Sequence, residues 1–170
     1  MTTTKAKAKT RTTGRNIRHR LLLFALAAAS LAACDSCKVD DRFLHTPTNG
    51  WEKNEGVAFD IPAVSHDGTY RMDLQLRTDN SFPFQSVTLV VEQTVVPQDT
   101  TLADTILCRL ASDNGKILGD GINIYQYSFH VNTRHYAAGD STHVSVRHIM
   151  KREMLPGVTE VGIRLQRVEH

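Results

Sequence analysis

The sequence predicts an all-β fold, an antiparallel sandwich or jelly-roll-like domain, on three observations. Apolar residues recur at every second position through most of the chain beyond residue 50. Gly, Pro, Asn and Asp interrupt those runs at fairly regular spacing. Almost no stretch shows the 3.6-residue recurrence of an amphipathic helix. Short strands, frequent turn signals and no long helix define a sandwich, with a closed barrel as the structural rival.

The elements follow in order. Residues 35–50 have little periodicity and several turn formers, so they read as a spacer, with the folded domain expected over 51–170. A first strand is expected at 57–61. Over 70–77 every even position is apolar (Tyr70, Met72, Leu74, Leu76) and every odd one polar, the pattern of a strand with one face on a core. Further strands are expected at 86–95, 104–110, 122–131, 142–149 and 161–168. Tyr125, Tyr127 and Phe129 share one face, as do Val144, Val146 and His148. Asp79-Asn80, Pro97-Gln98-Asp99, Asp113-Asn114-Gly115, Gly139-Asp140 and Pro156-Gly157 supply turns. Only 149–155 has room for a turn or two of helix, which Pro156 would stop.

The N-terminal segment has a different logic. Lys5, Lys7, Lys9, Arg11, Arg15, Arg18 and Arg20 precede an apolar run from Leu21 to Ala33, and no acidic residue occurs before Asp35. A basic flank followed by a short apolar run is an export signal. Thirteen residues of helix cover about 20 Å, well short of a hydrocarbon core of about 30 Å. The run ends in Leu31-Ala32-Ala33-Cys34, which resembles the lipobox cut by signal peptidase II in bacterial lipoproteins. That chemistry needs a thiol at the first mature position. The Cys34 sulfur takes a diacylglycerol thioether, cleavage follows, and the freed amine receives an N-acyl chain such as palmitate. At about 0.8 kcal/mol per buried methylene, one chain binds reversibly and two or more hold. Residues 1–33 are thus expected to be a lipoprotein signal peptide, and 34–50 a lipidated N-terminus and tether.

Removal of that segment rewrites the charge balance. The chain is formally +2, but seven of its twenty basic residues leave and none of its eighteen acidic ones does, so the mature chain has thirteen against eighteen, a net of −5. Nucleic acid is excluded as a partner, because phosphate neutralisation needs clustered Lys and Arg. The 137 residues that remain suit one domain with one core. Cys108 alternates with Ile106 and Leu110 and is expected inside as a small apolar residue, and Cys37 sits in the tether.

Catalytic signatures are missing. His143 and His148, like His130 and His135, are five apart and so face opposite sides of a strand, which is not a metal-ligating offset. Residues 115–121 contain glycines but lack the order of a phosphate loop and read as a hairpin connection. No Gly-x-Ser-x-Gly elbow occurs. No catalytic residue, metal ligand or cofactor is expected, apart from the covalent lipid on Cys34. Trp51 and Phe84 are candidate surface-binding aromatics, as in a glycan-binding module, set against the plainer reading in which Trp51 plugs one end of the sandwich.

Taken in order, several stretches resemble the gliding-motility lipoprotein GldH family of the Bacteroidota. They are the lipobox, Trp51 shortly before Val57-Ala58-Phe59-Asp60-Ile61, Leu74-Gln75-Leu76-Arg77, and Asp104-Thr105-Ile106-Leu107-Cys108-Arg109-Leu110-Ala111 followed by Gly115-Lys116 and Gly119-Asp120-Gly121. The last is 146–163, with its methionines, its Leu155-Pro156-Gly157-Val158 and its Val161-Gly162-Ile163. The resemblance implies a lipid-anchored, outer-membrane accessory protein of gliding, working through contacts with envelope or motility proteins. Two further implications depend on that lineage. Lys38 with Asp40 and Asp41 resembles a charged signal for surface display. Asp99-Thr100-Thr101, Asp104-Thr105-Ile106 and Asp140-Ser141-Thr142 match a short O-glycosylation pattern.

Overall fold

A computed structural model describes residues 38–168. The signal segment, the lipobox with Cys34, and Cys37 lie outside the described residues. Eleven strands make up the rest: β1 Lys38–His45, β2 Trp51–Glu52, β3 Val57–Ile61, β4 Gly68–Asp79, β5 Ser86–Val96, β6 Thr100–Arg109, β7 Asp120–Gly121, β8 Ile124–Tyr136, β9 Ser141–His148, β10 Met154–Leu155 and β11 Val158–Arg167. Five of them form one sheet in the order β1-β11-β4-β8-β7, four form a second in the order β3-β9-β5-β6, and β10-β2 is a small ribbon. Every pairing is antiparallel.

The core lies between the two large sheets and is filled by the positions the alternation marks. Tyr70, Met72, Leu74 and Leu76 of β4 and Val161, Ile163 and Leu165 of β11 meet Val87, Leu89 and Val91 of β5, Val144 and Val146 of β9, and Phe59 and Ile61 of β3. Each side chain of this size contributes about 1.5–3 kcal/mol by leaving water. The all-β sandwich reading therefore holds. Cys108 is a buried free thiol in the same core, and burial pushes its pKa up to about 12.

Two expectations are corrected. Residues 38–45, expected within the spacer, form β1, paired along β11 from Asp40 opposite Leu165 to His45 opposite Glu160. Its charges hid it from a hydrophobic pattern, as edge strands often do. Asp41 lies 3.2 Å from Arg164 and 3.0 Å from Lys38, and Arg42 lies 3.1 Å from Asp40. Phe43 lies against Gly162, where an added Cβ would sit 2.8 Å from the ring, and the Arg77 guanidinium stacks over that ring, 3.9 Å from its centroid. Residues 149–155 form no helix. They bend and then pair as β10, which places Leu155 opposite Trp51. The turn that follows needs Gly157, at φ +79°, because a side chain there would meet the Phe82 backbone at 2.3 Å.

The strand 70–77 also behaves in one unexpected way. Its outward polar residues Asp73 and Gln75 are as buried as its apolar ones. Neighbouring side chains fold over them: Arg71 Nε donates to Asp73 at 2.8 Å, and Gln75 Nε2 donates to Asp41 at 2.6 Å. Burial by itself would raise the Asp41 carboxyl, but the hydrogen bonds from Gln75 and Lys38 and the charge of Arg164 outweigh it and hold the group below its usual range.

Candidate functional site

The register defines two ends of the sandwich. At the entry end, where the described chain begins, Lys38 is opposite Gln166, Gln166 opposite Arg71 and Arg71 opposite Thr133. At the far end His45, Glu160, Arg77, Gln126 and Asp120 succeed one another across the same sheet. The second sheet shares these ends. Strand β8 turns into β9 at the entry end, where Val96 is opposite Ser141, and β4 leads to β5 at the far end, where Ser86 is opposite Arg109.

Trp51 closes the far end. It is fully buried, its indole N–H donates to the Glu55 carbonyl at 2.7 Å, and its ring meets His148 edge-on with centroids 5.2 Å apart. No face of it is free to stack on a sugar, so Trp51 is the plug and not a surface-binding aromatic. Beside it His148 is also buried, with Nε2 3.0 Å from the Trp51 carbonyl. A carbonyl only accepts, so Nε2 carries the proton, and Nδ1 is left without a partner. Burial holds the His148 pKa below its ordinary value.

Phe84 is half-buried and lies beyond the plug. With Thr88, Ile149, Met150, Lys151 and Arg152 it lines an open groove of about 690 Å³. A second hollow beside it, about 260 Å³, runs from Phe82 and Phe84 to Ile117, Tyr125 and Tyr127. Sequence spacing could not join Phe84 to 149–152. The register does so, because Ile149 N donates to the Thr88 carbonyl at 3.1 Å. Neither Lys151 nor Arg152 has a carboxylate within ion-pair distance among the described residues.

Histidines elsewhere serve surface pairs. His143 Nδ1 is 2.7 Å from Asp60, His130 Nδ1 is 3.5 Å from Asp73 and His45 Nδ1 is 3.2 Å from Glu160. Among the described residues no three His, Cys, Asp or Glu side chains converge as metal ligands, and no helix is long and apolar enough to cross a membrane.

Fold and site together define an all-β domain of packed antiparallel sheets, with its exposed apolar chemistry gathered at one end. The GldH lipoprotein family model matches residues 38–165, three quarters of the sequence, and the chain belongs to that family. It is 28% identical over 151 residues to the gliding motility lipoprotein GldH of Flavobacterium johnsoniae, a match covering 85% of this chain and 94% of that relative. Two solved structures are remote likenesses that carry no argument. Eiger TNF from S. frugiperda is 12% identical, with 78% of this chain and 94% of that one covered and a TM-score of 0.33. A CocE/NonD family hydrolase from Staphylococcus aureus is 11% identical, with 77% and 31% covered and a TM-score of 0.36.

Proposed function

We propose that this chain is a non-enzymatic envelope protein, held to the outer membrane by acyl chains on Cys34, that serves the gliding motility machinery through protein contacts. The extent of the match to the gliding motility lipoprotein carries the reading. Its 85% share of the chain is more than the 137 residues from Cys34 to the C-terminus, so the aligned span takes in Cys34 as well as the domain. Leu31, Ala32 and Ala33 then present that thiol for lipidation and cleavage.

What supports a non-enzymatic role is how the buried polar groups are used. His148 binds the Trp51 backbone. Gln93 links Tyr136 to Asn132. Asp140 ties the turn before β9 by accepting from Ala137 N at 2.9 Å. Each holds the fold together: Tyr136 and Asp140 also line a hollow of about 290 Å³ with Arg134 and His135, but both are committed there to hydrogen bonds within the fold. The coupled test has two readouts in a gliding host. Deletion of the gene abolishes colony spreading, and the wild-type chain restores it while Cys34→Ser, which takes up no alkyne fatty acid, does not. Normal spreading after deletion would remove the motility role, and label retained on the Cys34→Ser chain would remove the anchor.

A further inference from the structure

The exposed large aliphatic side chains are unevenly placed. Ile122 is 84% exposed, Leu107 61%, Leu118 53% and Ile124 52%, and Leu44, Ile117, Ile149 and Met154 are exposed to a lesser degree. All eight belong to the far half or the far loops: Leu107 is opposite Thr88, Leu44 opposite Val161, and Ile122 lies between β7 and β8. Among the described residues Val96 alone stands at the entry end. Scattered exposed aliphatics are ordinary in soluble proteins, but a gathering of them around a groove marks an interaction surface.

A bilayer is the first occupant to weigh, and the place of the anchor argues against it, given the reading of Cys34 as the anchor. Lys38 is four residue steps beyond Cys34, a reach of at most about 14 Å. Strand β1 then runs about 23 Å from Lys38 to His45, and the aliphatics of the 117–124 loop lie at that further end. The acyl chains therefore emerge within about 14 Å of the entry end, and a domain standing on that end holds the far end about 23 Å further from the bilayer. Charge narrows the occupant further. The groove walls are apolar (Phe84, Ile149, Met150), and its only charged lining residues are Lys151 and Arg152.

We infer that the far end is a docking surface for another envelope protein, which seats an aliphatic or aromatic side chain against Phe84, Ile149 and Met150 and sets an adjacent carboxylate against Lys151 and Arg152. This rests on the Cys34 anchor and names the surface through which the proposed protein contacts are made.

The test uses the full-length lipoprotein in the envelope of a gliding host, with a photo-crosslinking benzoylphenylalanine at Ile122, at Ile149 or, as the entry-end control, at Val96. Ile122 and Ile149 give one protein adduct of the same mass, and Val96 does not. The crosslinked peptide of the partner, sequenced by mass spectrometry, carries an apolar residue beside Asp or Glu. Reversing both cations with Lys151→Glu and Arg152→Glu weakens the adduct about tenfold or more, because truncating or reversing a desolvated charge contact costs at least about 1.4 kcal/mol. The same reversal leaves the unfolding midpoint unchanged. Should it lower the midpoint, Ile122→Ser with the crosslinker at Ile149 gives the same reading without touching the cations. Lipid adducts at Ile122, an adduct to a second copy of this chain, no adduct, or an adduct indifferent to both variants would each overturn the docking surface. A persistent protein adduct on a chain whose Cys34 bears no lipid would instead overturn the anchor and leave the docking contact standing.

Discussion

The two ends of this sandwich are closed by opposite means. At the entry end Gln93 Nε2 donates to the Tyr136 hydroxyl, and Asn132 donates both to Gln93 Oε1 at 3.2 Å and to Asp104 at 2.8 Å. Gln98 donates to Asp140 at 2.8 Å, and Tyr70 meets Tyr136 edge-on at 5.5 Å. The far end is shut by one indole, with Leu155 and His148 packed around it and a rim of bare aliphatics outside. The polar network pairs most of its members with one another, leaving Asn132 Oδ1 without a partner. An apolar plug keeps water from the core, and the aliphatics outside it still face solvent. The difference matches the proposed anchoring, since the polar end is the one at which the described chain begins.

Changes to each end break or sharpen that contrast. The largest effect is expected from Trp51→Ala, which opens a cavity at the far end and strands the Glu55 carbonyl. A loss of about 3–5 kcal/mol is expected in urea unfolding. A loss under about 1 kcal/mol would mean the indole is a surface group after all.

At the entry end, Tyr136→Phe removes the hydroxyl that Gln93 donates to and leaves a buried amide without its acceptor. The expected cost is about 1–3 kcal/mol by the same measurement. A neutral result would show that the network relaxes or admits water, so that the two ends differ less than their geometry indicates.

A smaller effect separates the ends by pH. His148 is buried at the far end with a depressed pKa, whereas the unfolded imidazole takes up its proton near the ordinary value of 6.5. Below that pH the unfolded chain binds the extra proton and the native one resists it. Stability from this group is thus complete above about pH 6.5 and declines as pH falls, by at most about 1.4 kcal/mol per pH unit, until the buried imidazole itself is protonated. His148→Gln, which keeps a donor for the Trp51 carbonyl, flattens that decline in unfolding midpoints measured from pH 8 to 5. An unchanged slope would assign it to other groups.

Much of the fold was legible in the sequence because the strands that line the core obey a period of two. Strands β3, β5 and β9 match the expected ranges to within a residue. Strand β1 was not legible, since its Asp40, Asp41 and Arg42 are stabilised by polar partners on β1 itself, on β11 and on β4 and not by an apolar face of their own. The family motifs were visible, but their purpose was not: Gly162 makes room for Phe43, and Gly157 turns the chain against Phe82. Of the two aromatic candidates, Trp51 proved to be wholly interior, and Phe84 found a setting that linear spacing does not contain. Asp73 and Gln75 looked like solvent-facing residues until the fold set Arg71 of the same strand against Asp73 and Asp41 of β1 against Gln75.

By itself the sequence determined the alternation that makes the core-lining segments strands, the inward place of Cys108 and the expectation of a lipid-bearing Cys34, because each depends on a few consecutive residues. Tertiary structure alone decided which end each residue occupies and which distant side chains share a groove. Register does that work, and register is set jointly by strands that can lie more than a hundred residues apart, as Lys38 and Gln166 do, so no local window of the chain records it.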